Sequence, residues 1–188
     1  MKILIACEYS GIVRDAFVKK GHDAMSCDLL NSSSPGKHYK GDVFELLKYE
    51  NFDMLIGFPP CTYLSKVQLW RCNKDISRKL LQLQAINFFK NLLNCEIEKI
   101  ALENPVGILS KAVRSYDQLI HPYMFGSPYQ KEICLWLKNL PLLLPTKLSP
   151  GRKSMYNHVN SRMSQAEKSH IKSKFFPEIA EAMANQWG

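Results

Sequence analysis

The first hundred residues alternate short apolar runs with amphipathic stretches. Residues 2–7 form an apolar run read as a first strand. Residues 11–20 set Ile12, Val13, Ala16 and Phe17 on one helical stripe, closed by Gly21. Residues 23–27 read as a second strand ending at Asp28, and residues 31–36 as a polar Ser/Pro/Gly loop. Residues 37–40 lead to Gly41-Asp42, and a short helix is predicted over 43–48. Residues 53–57 are a strand that runs into Phe58-Pro59-Pro60-Cys61. Residues 77–93 predict a helix whose wide apolar face holds Leu81, Ala85, Phe88, Phe89 and Leu92, and residues 99–102 a strand opening into Glu103-Asn104-Pro105. Beyond it the pattern loosens. Residues 118–126 read as a helix end and turn, 132–137 as a strand, and 140–151 as a Pro/Leu-rich stretch. Residues 152–174 are basic and polar and are expected to cross the surface. Residues 177–187 predict a terminal helix, with Pro177 in the first position and Ile179, Ala180, Met183, Ala184 and Trp187 on one face.

Strands alternating with helices predict an α/β fold, a doubly wound and mostly parallel sheet. Such sheets bind ligands beyond the carboxyl ends of their strands. Taken in order, those ends are Cys7-Glu8, Asp28, Asp42, Pro59-Pro60-Cys61 and Glu103-Asn104. Four carry an acid and the other a cysteine in a stiff turn, so reactive side chains gather at one edge.

Length and composition bound the rest. At 188 residues the chain is expected to be a single domain over 1–188, with a core of its own. Lys and Arg number 25 against 17 Asp and Glu, a net charge of +8, which favours an anionic partner such as nucleic acid. No apolar run approaches the roughly 18 residues of a membrane span. The start of the chain reads as a strand rather than a signal peptide, so a cytoplasmic location with no membrane partner is expected. The six cysteines form no C-x-x-C pair, and reduced thiols with no metal site are expected.

Cys61 follows two prolines that restrain its backbone, so its thiol can face a cleft; a buried apolar role is the competing reading. Glu103 sits where a buried strand opens into a loop. A partly desolvated carboxyl there has a raised pKa and donates a hydrogen bond to a ligand, unless it is simply a solvated strand end. Asp28, at the end of the second strand, suits ribose hydroxyls. Asp42 suits a ligand or a helix cap equally well. Ser10-Gly11 makes a close-approach turn but not a full G-x-G-x-x-G, so a pyrophosphate cradle is poorly supported. Trp70-Arg71 follows soon after Cys61. Residues 66–73 are read as a loop that closes over a substrate, with packing of Trp70 on the domain as the alternative.

Glu8-Tyr9-Ser10-Gly11, Asp28, Asp42, Phe58-Pro59-Pro60-Cys61-Thr62-Tyr63-Leu64-Ser65 and Glu103-Asn104-Pro105-Val106-Gly107, in this order, resemble the DNA cytosine-5 methyltransferase family. With residues 131–137 and 176–187, the chain is more closely similar to the short phage and prophage DNA cytosine methyltransferase-like proteins. The resemblance covers nearly the whole chain. It implies an S-adenosylmethionine-dependent methyltransferase fold without a separate target-recognition domain, the basic, irregular segment 140–174 standing in its place. It implies S-adenosylmethionine as cofactor, held by Glu8, Tyr9, Ser10, Gly11, Asp28, Asp42 and Pro59. It implies Cys61 and Glu103 as catalytic residues, Cys61 attacking carbon 6 of cytosine and Glu103 bonding ring nitrogen 3 and the exocyclic amine. Pro60, Thr62, Asn104 and Lys131 are then substrate contacts, and the target base in duplex DNA has to be flipped out.

Three positions depart from that family. Thr62 replaces a Gln after the cysteine, Pro105 replaces a Val after Glu-Asn, and Gln130-Lys131-Glu132-Ile133-Cys134 replaces Gln-x-Arg-x-Arg. DNA is the partner this implies, with a homodimer or a separate subunit as alternative sources of target recognition. Two other readings stay open: carbon-5 modification of free cytidine nucleotides, RNA or a modified base, and a catalytically inactive DNA- or cofactor-binding accessory or counter-defence protein.

Overall fold

In a computed structural model of the chain, residues 1–150 and 175–188 are described, together with the backbone of 153–154. The basic stretch 152–174 therefore lies outside the described residues, apart from the short strand at 153–154. Seven strands form one sheet. In chain order they are β1 (Lys2–Ala6), β2 (Asp23–Asp28), β3 (His38–Lys40), β4 (Met54–Gly57), β5 (Lys99–Asn104), β6 (Gln118–Ile120) and β8 (Ile133–Lys138). A small separate ladder pairs β7 (Tyr129–Gln130) with β9 (Lys153–Ser154). The main sheet runs β3-β2-β1-β4-β5-β8-β6. Its first five strands are parallel, and β8 enters antiparallel between β5 and β6.

Burial on both faces explains the nearly continuous apolar strands. Along β1, Ile3 and Ile5 face one core and Leu4 and Ala6 the other. The first core is closed by α1 (Ile12–Lys19) and the C-terminal helix α6 (Pro177–Trp187). Ile179, Ala180, Met183, Ala184 and Trp187 are all buried, as the helical periodicity predicts. The second core packs α2 (Val43–Leu46), α4 (Ile76–Leu93) and α5 (Leu109–Ala112) against the opposite face around Trp136 and Phe89. Among the described residues, no helix is long and apolar enough to cross a membrane.

Three expectations are corrected here. The stretch 118–126 is a strand and a 3-10 turn rather than a helix end; β6 is held by its ladder with β8. In α4 the buried positions are Gln82, Ile86, Phe89, Leu92 and Leu93, and Leu81 is 39% exposed. Gln82 takes an inward place because its amide donates to the Tyr63 carbonyl at 2.9 Å, a bond that a hydrophobic pattern does not register. Residues 66–73 are a 3-10 turn (Lys66–Gln68) followed by α3 (Leu69–Lys74) rather than an open loop.

Candidate active site

The sheet order reverses between β1 and β4. Chain leaving β1 turns toward β2 and chain leaving β4 toward β5, which opens a crevice at the carboxyl edge. Every predicted site residue lies along this edge or its loops, but in two chemically different groups.

The β1 side is internally bonded. Cys7 takes a left-handed backbone (φ 58) and turns the chain out of β1. Glu8 is buried. Its carboxylate accepts from the Val13 amide at 2.7 Å, the Arg14 amide at 3.3 Å and the Ser10 hydroxyl at 3.1 Å, so it caps the start of α1. Burial raises its pKa, and these donors and the Arg14 charge oppose the rise. Arg14 is fully buried. It donates to Asp15, Ser26, Ser32 and Ser34 side chains and to the Pro35 carbonyl. In this way one helix residue ties down the polar 31–36 loop, which joins parallel strands β2 and β3 without a crossover helix.

That loop lies on the β1–α1 turn. Ser33 donates its amide to the Tyr9 carbonyl at 2.8 Å and its hydroxyl to the Ser10 carbonyl at 3.4 Å. Gly11 is left-handed (φ 74), and a Cβ there would stand 2.1 Å from Ser34 Oγ and 2.4 Å from an Arg14 nitrogen. The close approach that sequence places at Ser10-Gly11 is thus filled by the chain's own Ser34 and Arg14.

Asp28 and Asp42 converge with Cys7 and Cys27 at the ends of β1–β3. Burial, together with both aspartates, pushes each thiol up to about 12. Each aspartate uses one oxygen locally: Asp28 Oδ1 accepts from the Leu30 amide at 2.9 Å, and Asp42 Oδ1 from the Phe44 amide at 2.8 Å as the cap of α2. Among the described residues the second oxygens accept no hydrogen bond and are left for other donors. Two acceptors at the ends of adjacent strands suit the hydroxyls and amine of a nucleoside, and their charge suits a cationic centre. Asp28 and Asp42 therefore fit S-adenosylmethionine, at the same edge of the sheet as the turn at Ser10 and Gly11.

The β4/β5 side holds the reactive pair. Pro59 is buried and Pro60 is exposed, and exposed Cys61 follows them. Three bonds lock this segment to the one leaving β5. Asn104 Nδ2 donates to the Pro59 carbonyl at 2.8 Å, the Lys66 amide to Val106 at 3.0 Å, and the Ile108 amide to Leu64 at 2.9 Å. The fit leaves no space at Gly107, where a Cβ would stand 2.0 Å from the Leu64 oxygen. Strand β5 runs on through Glu103 and Asn104, two residues beyond the predicted end, so both are held in the ladder opposite Leu135 and Cys134. Because β8 is antiparallel, its start lies at this same edge and brings Lys131 there.

Charge joins these residues. Although Cys61 is exposed, partial desolvation by the surrounding chain raises its thiol pKa, the Glu103 charge raises it further, and Lys131 lowers it. Burial raises Glu103 well above the ordinary carboxyl range, again opposed by Lys131. Glu103 Oε1 and Asn104 Oδ1 are buried and have no hydrogen-bond partner among the described residues. Such atoms cost roughly 1–3 kcal/mol each, a penalty that a bound ligand can relieve. Thr62 is exposed beside the thiol.

Sequence reasoning missed Arg14, whose position in an amphipathic helix gives no sign of its burial. It also missed His121, which follows β6 at the same edge with a buried, unpartnered Nδ1 and a ring stacked on Tyr123 at 5.1 Å.

No protein-family model and no curated protein matches the chain. Its fold does match solved structures. A candidate DNA modification methyltransferase encoded within an E. coli prophage superposes with a TM-score of 0.50 at 17% identity, over 79% of this chain and 51% of that one. The Entamoeba histolytica methyltransferase EhMeth superposes with a TM-score of 0.52 at 12% identity, over 87% of this chain and 61% of that one. The chain spans about half to three-fifths of the length of these structures. At such identities the likeness establishes a shared fold: this sheet is built as it is in methyltransferases.

Proposed function

We propose that the chain transfers a methyl group from S-adenosylmethionine to carbon 5 of a cytosine in DNA. The observation that carries this reading is the lock between the Cys61 turn and the Glu103 strand, which presents a thiol, a buried acid and a cation at one edge. The methyltransferase fold supports the reaction class.

When bound, S-adenosylmethionine supplies an electrophilic methyl group on a sulfonium. Asp28 and Asp42 would hold its nucleoside. Cys61 Sγ, as thiolate, adds to carbon 6 of the pyrimidine; a soft sulfur nucleophile suits that position. Lys131 offsets the desolvation of Cys61 and favours the thiolate. Glu103, whose burial favours the protonated form, donates to ring nitrogen 3 and offsets the charge that develops as sulfur adds. Its unpartnered Oε1 accepts from the exocyclic amine, while Asn104, on the opposite face of β5, holds the Pro59 turn. Carbon 5 then has the electron density to accept the methyl group. Loss of the carbon-5 proton to water and departure of Cys61 restore the aromatic ring.

The reading is tested by transfer of labelled methyl groups into DNA by the wild type and by Cys61→Ser. Label in 5-methylcytosine that depends on Cys61 supports it. Equal incorporation by the variant overturns the mechanism.

A further inference from the structure

Beyond Cys61 the chain carries a surface that the methyl-transfer chemistry does not use. Trp70 is 56% exposed, an unusual position for an indole. The Arg71 guanidinium lies 5.3 Å and the Lys74 ammonium 5.4 Å from its ring centroid. On the first turn of α4, the Arg78 guanidinium stands 5.4 Å from the Tyr63 ring. Between Lys66 and Lys79 there are five cationic side chains and one carboxylate, Asp75. Asp75 caps α4, accepting from the Ser77 and Arg78 amides. None of the five cations pairs with a carboxylate among the described residues. Arg78 instead donates to Gln68 and Lys79 to Gln82.

This surface is tied to the reactive turn. Cys72 and Gln82 both bond the Tyr63 carbonyl, and Tyr63 is two residues past Cys61. An exposed indole flanked by cations that pair with no carboxylate among the described residues matches the chemistry of an unpaired nucleic-acid strand, whose bases offer π faces and whose phosphates offer charge. A duplex hides those faces inside its stack.

We propose that Trp70 is a base-stacking platform, flanked by phosphate contacts from Arg71 and Lys74, and that the chain takes its DNA as a single strand. The proposal rests on the DNA reading above and specifies the form of that substrate.

The other two tryptophans make the test direct. Trp136 is fully buried and bonded to the Arg114 carbonyl, and Trp187 is 4% exposed and bonded to the Pro141 carbonyl. Quenching of exposed-indole emission therefore reports on Trp70. The full chain is titrated with a cytosine-containing single-stranded DNA, with the same sequence as a hairpin duplex, and with the equivalent RNA. The single strand is expected to quench Trp70 and to bind at least about tenfold more tightly than the duplex or the RNA. By labelled-oligonucleotide anisotropy, Trp70→Ala is expected to weaken binding about tenfold, in the range for one lost stack, and Trp70→Phe to restore most of it. Arg71→Gln with Lys74→Gln is expected to lower the slope of log K against log salt by about 1.4, the value for two single-strand phosphate contacts. Duplex or RNA binding as tight as single-stranded DNA, or a Trp70→Ala variant with unchanged affinity, overturns the proposal. Methyl transfer measured on the same oligonucleotide separates the two readings. Trp70-dependent binding without transfer keeps the platform and overturns the methylation reading; transfer with KM unchanged in Trp70→Ala does the reverse.

Discussion

The two halves of the carboxyl edge are built from the same strand-end positions yet satisfied in opposite ways. At β1, polar groups bond one another: Glu8 accepts three donors, and Arg14 reaches five acceptors. At β5, Glu103 and Asn104 keep buried oxygens with no partner, although their backbones are held in a regular ladder. Buried polar groups are ordinarily paired, so an orphaned pair in a rigid setting marks where the fold reserves bonding capacity for something else. The first half acts as a support. The second is where chemistry is to be sought, with Asp28 and Asp42 intermediate, each carrying one used and one available oxygen.

Substitutions on either side should break this contrast in different assays. The largest effects are expected on turnover at the β4/β5 side. Cys61→Ser should reduce methyl transfer about 10³-fold or more, and Glu103→Gln about 10²–10³-fold, with thermal unfolding showing the fold intact. Next is Arg14→Ala on the support side. It removes a buried charge that anchors the 31–36 loop, and should cost about 3 kcal/mol or more, a fall in Tm of roughly 6–12 °C for a chain of this size. Loss of turnover in that variant should track loss of fold.

Lys131 gives a subtler test. It lowers the pKa of both Cys61 and Glu103, so Lys131→Met should move the rise of activity with pH to higher pH, and Lys131→Arg should move it back. An unchanged pH profile in Lys131→Met would place the ammonium outside the reactive group.

The smallest effect is on stability. Glu103 binds its proton more tightly folded than unfolded, so its contribution is fully present below the unfolded carboxyl pKa and is lost as pH rises through the folded one. Glu103→Gln removes that dependence. The Tm difference between Glu103→Gln and the wild type should move in favour of the variant as pH rises above the unfolded carboxyl pKa of about 4.3.

How far the sequence disclosed this follows from where each constraint originates. Strands β1, β2 and β4 and helices α1 and α6 are legible because their periodicity is local and their faces are apolar. The three residues of β6 carry no readable alternation; their conformation comes from a partner, β8, distant in the chain. The buried face of α4 is misjudged at Leu81 because Gln82 goes inward on a single hydrogen bond. At the site, Cys61, Glu103, Asp28 and Asp42 are found by position at strand ends. The bonds by which Glu8 caps α1 are not, because a carboxylate that caps a helix and one that binds a ligand look the same in one dimension. Lys131 reaches the edge through the reversed direction of β8, and Arg14 is buried against a loop whose path no periodicity predicts.

The account turns on Cys61 as the group that bonds the substrate, with Glu103 beside it. A 5-fluorocytosine oligonucleotide tests this directly, because carbon-5 fluorine cannot leave as a proton and holds the sulfur–carbon adduct once methyl transfer has occurred. With S-adenosylmethionine present, the account predicts a denaturation-resistant protein–DNA species whose cross-linked peptide maps to Cys61 and which is missing in Cys61→Ala. Methylation of cytosine with no such species, or an adduct that persists in Cys61→Ala, would contradict it.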